Sequence, residues 1–203
     1  MDLSFLITAF VTLFVIIDPI GLTPMFVALT HGMPFAERRT VALRACAAAF
    51  AILTAFTLFG EAVLGFVGIS MPAFRVAGGI LLFLTALDML FERRTKRRED
   101  QADERPDPSI FPMAIPLTAG PGSIATVILL AGERGGMIGF LETIIVALAV
   151  ILVALMLFLT AGFLERVLGK TGINVATRLL GMLLAALAVQ FVLQGLKDFG
   201  FAG

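Results

Sequence analysis

Cysteine and histidine occur once each in the 203 residues, as Cys46 and His31, and charged residues make up only 15% of the chain. A single cysteine excludes an internal disulfide, and within an apolar run Cys46 reads as a small buried hydrophobe. There is no Gly-x-Ser-x-Gly and no His-Glu-x-x-His, so an enzyme is not expected. A Gly-x4-Gly-Lys-Ser/Thr phosphate loop is missing too, which argues against an ATP-driven pump. Nothing calls for a cofactor or a structural metal. Fifteen basic residues balance fifteen acidic ones, with no basic stripe interleaved with aromatics, so nucleic acid is not an expected partner. Met1 is followed directly by Asp2, without a basic n-region or a small-residue cleavage site after the first apolar run, so that run is expected to stay in the chain.

What fills the chain is apolar. Hydrophobic residues reach 59% and the mean hydropathy is +1.03, well above the roughly half-apolar composition of a soluble domain. Long apolar runs separated by short polar clusters predict an all-α membrane protein with six spans: Leu3 to Thr30, Thr40 to Phe59, Pro72 to Phe91, Ile110 to Leu130, Gly139 to Leu164 and Asn174 to Leu196. The basic residues fall unevenly between alternate loops. Twelve lie on one side, with Arg38, Arg39, Arg44, Arg166, Lys170, Arg178 and the six of the Glu92 to Ser109 loop; only Arg75, Arg134 and Lys197 lie on the other. The positive-inside rule then predicts a cytoplasmic 92–109 loop and both termini outside.

Residue spacings repeat between the halves. Pro19 and Pro24 match Pro116 and Pro121 at an offset of 97, Glu37-Arg38 match Glu133-Arg134 at 96, Glu61 and Gly65 match Glu165 and Gly169 at 104, and Arg75 and Gly78 match Arg178 and Gly181 at 103. Two three-helix units are therefore expected, 1–91 and 110–203, joined by a charged linker at 92–109. An odd number of spans makes the second unit enter the membrane from the opposite side, as in inverted-repeat transporters.

The first and fourth spans carry paired prolines deep in their apolar runs, in Asp18-Pro19-Ile20-Gly21-Leu22-Thr23-Pro24 and in Pro116-Leu117-Thr118-Ala119-Gly120-Pro121-Gly122-Ser123. Each proline removes a backbone donor and clashes with a preceding carbonyl, so both helices are predicted to be discontinuous, with the breaks facing each other inside the molecule. Pro24 and Pro121 suit the first turn of a resumed half-helix, with Thr23 or Ser123 capping its amides. Both half-helix N-termini are expected to favour an anionic group, and the carbonyl ends before them a cation, a combination suited to a zwitterion. Asp18 falls where the first half-helix ends, where the dipole disfavours an anion, so an ammonium, a sodium ion or a proton is expected to compensate it. The competing reading is an Asp-Pro turn held by local amide bonds.

These two runs, with Arg75-Val-Ala-Gly-Gly79, resemble the MarC family of bacterial inner-membrane proteins, also called the neutral amino acid transporter family. The likeness covers essentially the whole chain. It implies a six-helix carrier of small neutral amino acids such as glycine, alanine, serine or threonine, coupled to a proton or sodium gradient in the inner membrane. It also implies that Asp18 to Pro24 and Pro116 to Ser123 line the substrate site. A channel or an exporter for another small solute is the alternative. Beyond substrate, coupling ion and membrane lipid no partner is indicated, and the oligomeric state is not specified.

Other polar residues have two readings each. Glu61 with Arg75, and Glu165 with Arg178, are candidate gates on opposite sides, or anchors of helix ends at the interface. Gln190 and Gln194, one turn apart in the last span, read as glue between helices. Gly78, Gly79 and Gly181 are expected to allow close backbone approach, so that the third and sixth spans pack around the broken pair.

Overall fold

The computed structural model describes residues 3–91 and 107–201. Among these the chain is all-helical, in eight helices: α1 (Leu3–Ile17), α2 (Pro19–Leu29), α3 (Phe35–Val67), α4 (Met71–Leu90), α5 (Ser109–Thr118), α6 (Pro121–Arg134), α7 (Gly136–Leu159) and α8 (Ala161–Asp198). Five stretches are long and apolar enough to cross a membrane: Leu3–Leu29, Phe35–Val67, Met71–Leu90, Gly136–Leu159 and Thr171–Asp198. The pair α5–α6, bent by 56° at its break, makes a sixth if counted as one span. Most of the expected linker, residues 92–106, lies outside the described residues.

Local chemistry sets several boundaries. α4 starts where the Ser70 hydroxyl accepts the Ala73 amide at 3.4 Å, with Pro72 in the first turn, where its missing N–H costs nothing. α3 stops at Gly68, whose φ of +81° turns the chain left-handed while its amide and that of Ile69 bond back to Gly65 and Leu64. At 33 residues α3 extends past the predicted Thr40 to Phe59 at both ends, and about 50 Å of helix exceeds the hydrocarbon thickness. α8 breaks at Gly169, with φ +60° and ψ 175°, which separates a short first segment from the long span. The predicted end of the fifth span at Leu164 is therefore corrected: α7 stops at Leu159, and Leu164 belongs to the first segment of α8.

The largest buried cluster gathers side chains of α1, α2, α3, α5, α6 and α7. A smaller one joins Val15 and Ile16 of α1 to Leu82, Ala86 and Met89 of α4 and Leu184 and Ala188 of α8. α4 and α8 form the most extensive helix pair. They run antiparallel, with glycines where their backbones nearly touch. A Cβ on Gly79 would come 2.8 Å from the Ala188 carbonyl, and one on Gly195 2.9 Å from the Pro72 carbonyl. The close approach expected at Gly79 and Gly181 is present. The outer surface carries Leu, Ile, Phe and Val side chains, among them Ile80, Leu84, Leu152 and Leu183, each about half exposed. Such a sleeve suits lipid as solvent.

Candidate functional site

The first break is a single residue. Asp18 takes φ +54° and ψ +61°, the left-handed conformation that Asp and Asn tolerate best among residues with a Cβ. Its amide still bonds Phe14 and its carbonyl still accepts the Leu22 amide, both at 2.9 Å, so the helix ladder is interrupted without being unravelled. The side chain caps α2: Oδ1 accepts the Gly21 amide at 3.0 Å, and the residue is 0% exposed. Gly21 makes this possible, since a Cβ there would lie 2.1 Å from Asp18 Oδ2.

Three expectations are corrected here. The Asp18 carboxylate serves the positive N-terminus of α2, not the negative end of α1, so part of its compensation is local. The half-helix resumes at Pro19, which fills the first helical position, while Pro24 lies inside α2. Thr23 does not cap: its hydroxyl donates to the Pro19 carbonyl at 2.9 Å. Ile20 and Leu22 complete the run, Leu22 fully buried.

The second break is longer. Phe111 and Ile115 are extended because a following proline disfavours helical geometry, so the chain before Pro112 and before Pro116 leaves the helix twice. Wide turns hold it instead, with the Ala119 amide on the Ala114 carbonyl at 2.8 Å and the Thr118 hydroxyl on the Met113 carbonyl at 2.8 Å. α6 then begins with Pro121 in its first position, as expected, behind Gly120. Ser123 does not cap α6. Its hydroxyl donates to the Thr118 and Gly120 carbonyls, both at 3.0 Å, and no side chain caps this N-terminus. A Cβ at Gly120 would meet the Pro116 carbonyl at 2.5 Å, so only glycine permits the turn.

The two breaks share one core. Ile17 and Leu22 from the first, and Leu117 and Ala119 from the second, belong to the same buried cluster. Gly122 faces Ile16, two residues before Asp18, at 3.4 Å from a virtual Cβ. Thr118 and Ser123 are buried, as are Asp18 and Thr23.

The expected gate pairs are not both formed. Arg75 pairs with Asp198 at the end of α8, and among the described residues Glu61 makes no ion pair with it; a terminal helix residue competes for the guanidinium. Glu61 and Arg178 are exposed, and the Glu165 side chain lies outside the described part of the structure. Gln190 and Gln194 are exposed on α8 rather than bonded between helices.

Sequence reasoning missed one buried acid. Glu142, 2% exposed in the second turn of α7, accepts from Arg134 Nε at 3.2 Å, while its Oε1 has no hydrogen-bond partner. The eight-residue spacing across Gly135-Gly136, with Glu142 already inside the predicted fifth span, was the available signal.

A cavity of about 440 Å³ opens where α3 and α8 begin, lined among others by Phe26, Phe35, Arg38, Phe158, Phe163 and Arg166. None of the proline-break residues lines it.

Residues 3–199 match the family model described as MarC family integral membrane protein. A UPF0056 membrane protein of Methanocaldococcus jannaschii is 42% identical, covering 97% of this chain and 98% of its own. The UPF0056 membrane protein YvbG of Bacillus subtilis is 37% identical over 97% of this chain and 96% of its own. In Escherichia coli, the UPF0056 membrane protein YhcE is 36% identical over 93% of this chain and 90% of its own. No solved structure matches the chain significantly. With whole-length agreement to the family model and to relatives from bacteria and archaea, this multi-pass protein belongs to the MarC family of integral membrane proteins.

Proposed function

We propose that the protein is a secondary active carrier of small neutral amino acids, driven by a proton or sodium gradient and working by alternating access. The observation that carries this reading is the unequal treatment of the two half-helix N-termini in one buried core. α2 is capped by the protein's own carboxylate, Asp18, whereas α6 has no side-chain cap. A substrate carboxylate suits the N-terminal amides and dipole of α6. Its ammonium, or a coupling cation, suits the side of Asp18, the acid buried at the first break. The substrate class follows from the resemblance to the neutral amino acid transporter family.

The fold supports an inverted repeat. Each half consists of a proline-broken span, a long helix and a helix packed on its counterpart, α4 on α8. Charge asymmetry between the loops supports a cytoplasmic 92–109 segment with both termini periplasmic, in the bacterial inner membrane. Rocking of one half against the other about the broken spans then exposes the site alternately.

In proteoliposomes, labelled glycine or alanine is expected to enter with saturation and to exchange against internal substrate, faster under an imposed proton or sodium gradient. Asp18→Asn is expected to abolish gradient-driven accumulation. Linear flux without counterflow would replace the carrier with a channel, and unaltered coupling in Asp18→Asn would remove Asp18 from the mechanism.

A further inference from the structure

We infer that the cavity between the first turns of α3 and α8 is a binding site for an anionic phospholipid, its phosphate held between Arg38 and Arg166. The floor is aromatic. Phe26 and Phe158, each 1% exposed, stack at 5.0 Å and 14°, and the Arg38 guanidinium lies 5.7 Å above the Phe26 ring. That stacking fixes Arg38 at low conformational cost.

Among the described residues no carboxylate pairs with Arg38 or Arg166, whereas Arg44, Arg75 and Arg134 each hold one. Two guanidiniums and two helix N-termini converging on 440 Å³ make a field for an anion. At the end of α7 the Thr160 hydroxyl and amide both bond the Met156 carbonyl, at 2.7 and 3.0 Å.

The walls choose among anions. Phe35 and Phe163, both lining the cavity, stand 69% and 71% exposed. A free inorganic ion makes no use of them; an acyl chain lying against the helices does. Guanidiniums match phosphate geometry with paired N–H donors, and basic pockets between spans at a membrane face are suited to lipid head groups. The ligand is thus a phosphodiester joined to apolar chains and carrying net negative charge.

The test uses the purified full-length protein in detergent, with lipid retention read by native mass spectrometry and stability by thermal unfolding. Phosphatidylglycerol is expected to be retained and to raise the melting temperature, while phosphatidylcholine with the same chains and inorganic phosphate alone do neither. Removing the charges in Arg38→Gln/Arg166→Gln is expected to weaken retention by about fivefold per arginine. Gly162→Trp offers an independent test, since nothing lies within 4 Å of a Cβ there and the ring fills the cavity with both arginines intact. Loss of phosphatidylglycerol in that variant supports the site even if the double substitution fails to fold. Equal retention of phosphatidylcholine, an equal shift from inorganic phosphate, or unchanged retention in Gly162→Trp each overturns it.

Discussion

Asp18 and Gly21 form a unit in which each explains the other: a left-handed aspartate throws its carboxylate over the next turn, and the residue beneath it has no room for a methyl group. Gly21→Ala should push the carboxylate off its amide and destabilise the protein by about 1–3 kcal/mol, read as a lowered unfolding midpoint in detergent. Asp18→Ala loses the cap and keeps the left-handed strain, at about 2 kcal/mol in total. Asp18→Asn caps nearly as well and tolerates the same φ, so its stability should stay within about 0.5 kcal/mol of the parent. The pair of variants therefore separates the structural role of the side chain from its charge. The residues of this site were legible in the sequence as paired prolines with a deep acid. The helix end that the acid serves was not, because that depends on the sign of φ at one residue.

Among the helices, apolar runs located the long spans but blurred their ends and missed the short segment of α8 before Gly169. The apolar run reports hydrocarbon depth, whereas α3 continues for several residues into water at each end, where helix formers such as Ala36, Glu37 and Glu61 carry it. Prolines announced both breaks without saying which of each pair starts the new helix. Pro19 and Pro121 do so, and Pro24 is carried inside α2. Twofold exit from helical geometry at Phe111 and Ile115 was hidden because Pro112 lies before the paired motif, in a stretch otherwise apolar enough to read as a plain span. Glycines marked points of close backbone approach without saying that α4 and α8 meet there, and Gly78 faces Leu129 of α6 instead. Gly79→Ala should force α8 away from α4, because α8 backbone atoms lie 2.8–3.0 Å from that Cβ, lowering stability by about 1–3 kcal/mol. Gly65→Ala, whose Cβ meets nothing within 4 Å, should be neutral or slightly stabilising in the same assay.

Across the whole molecule, ion pairs join segments distant in sequence at both faces, and their worth depends on how dry they are. Arg44 pairs with Asp107 at 3.0 Å with both side chains about half exposed or more. The nearby Ser109 hydroxyl, the Ser109 amide and the guanidinium hold the Asp107 carboxyl below its ordinary value. A lowered folded value means that the stabilisation is complete above the unfolded value and is lost as pH falls through the folded one. Exposure limits the effect, so Asp107→Asn should change the unfolding midpoint little at neutral pH and flatten only its decline below about pH 4. The Arg134–Glu142 pair on the opposite face is a different case, because Glu142 is 2% exposed on its side chain and Arg134 34%. Removing the arginine strands a carboxylate in a dry environment, whereas removing the carboxylate leaves a guanidinium that reaches solvent and still lies 5.3 Å over the Phe5 ring. Arg134→Ala should therefore cost about 3–5 kcal/mol, and Glu142→Gln much less. If the cost is the stranded charge, Arg134→Ala/Glu142→Gln will be more stable than Arg134→Ala alone, a coupling visible in a double-mutant cycle of unfolding midpoints. Additive losses would mean that Arg134 matters through its packing on α1 and that the α6–α7 turn does not depend on the pair.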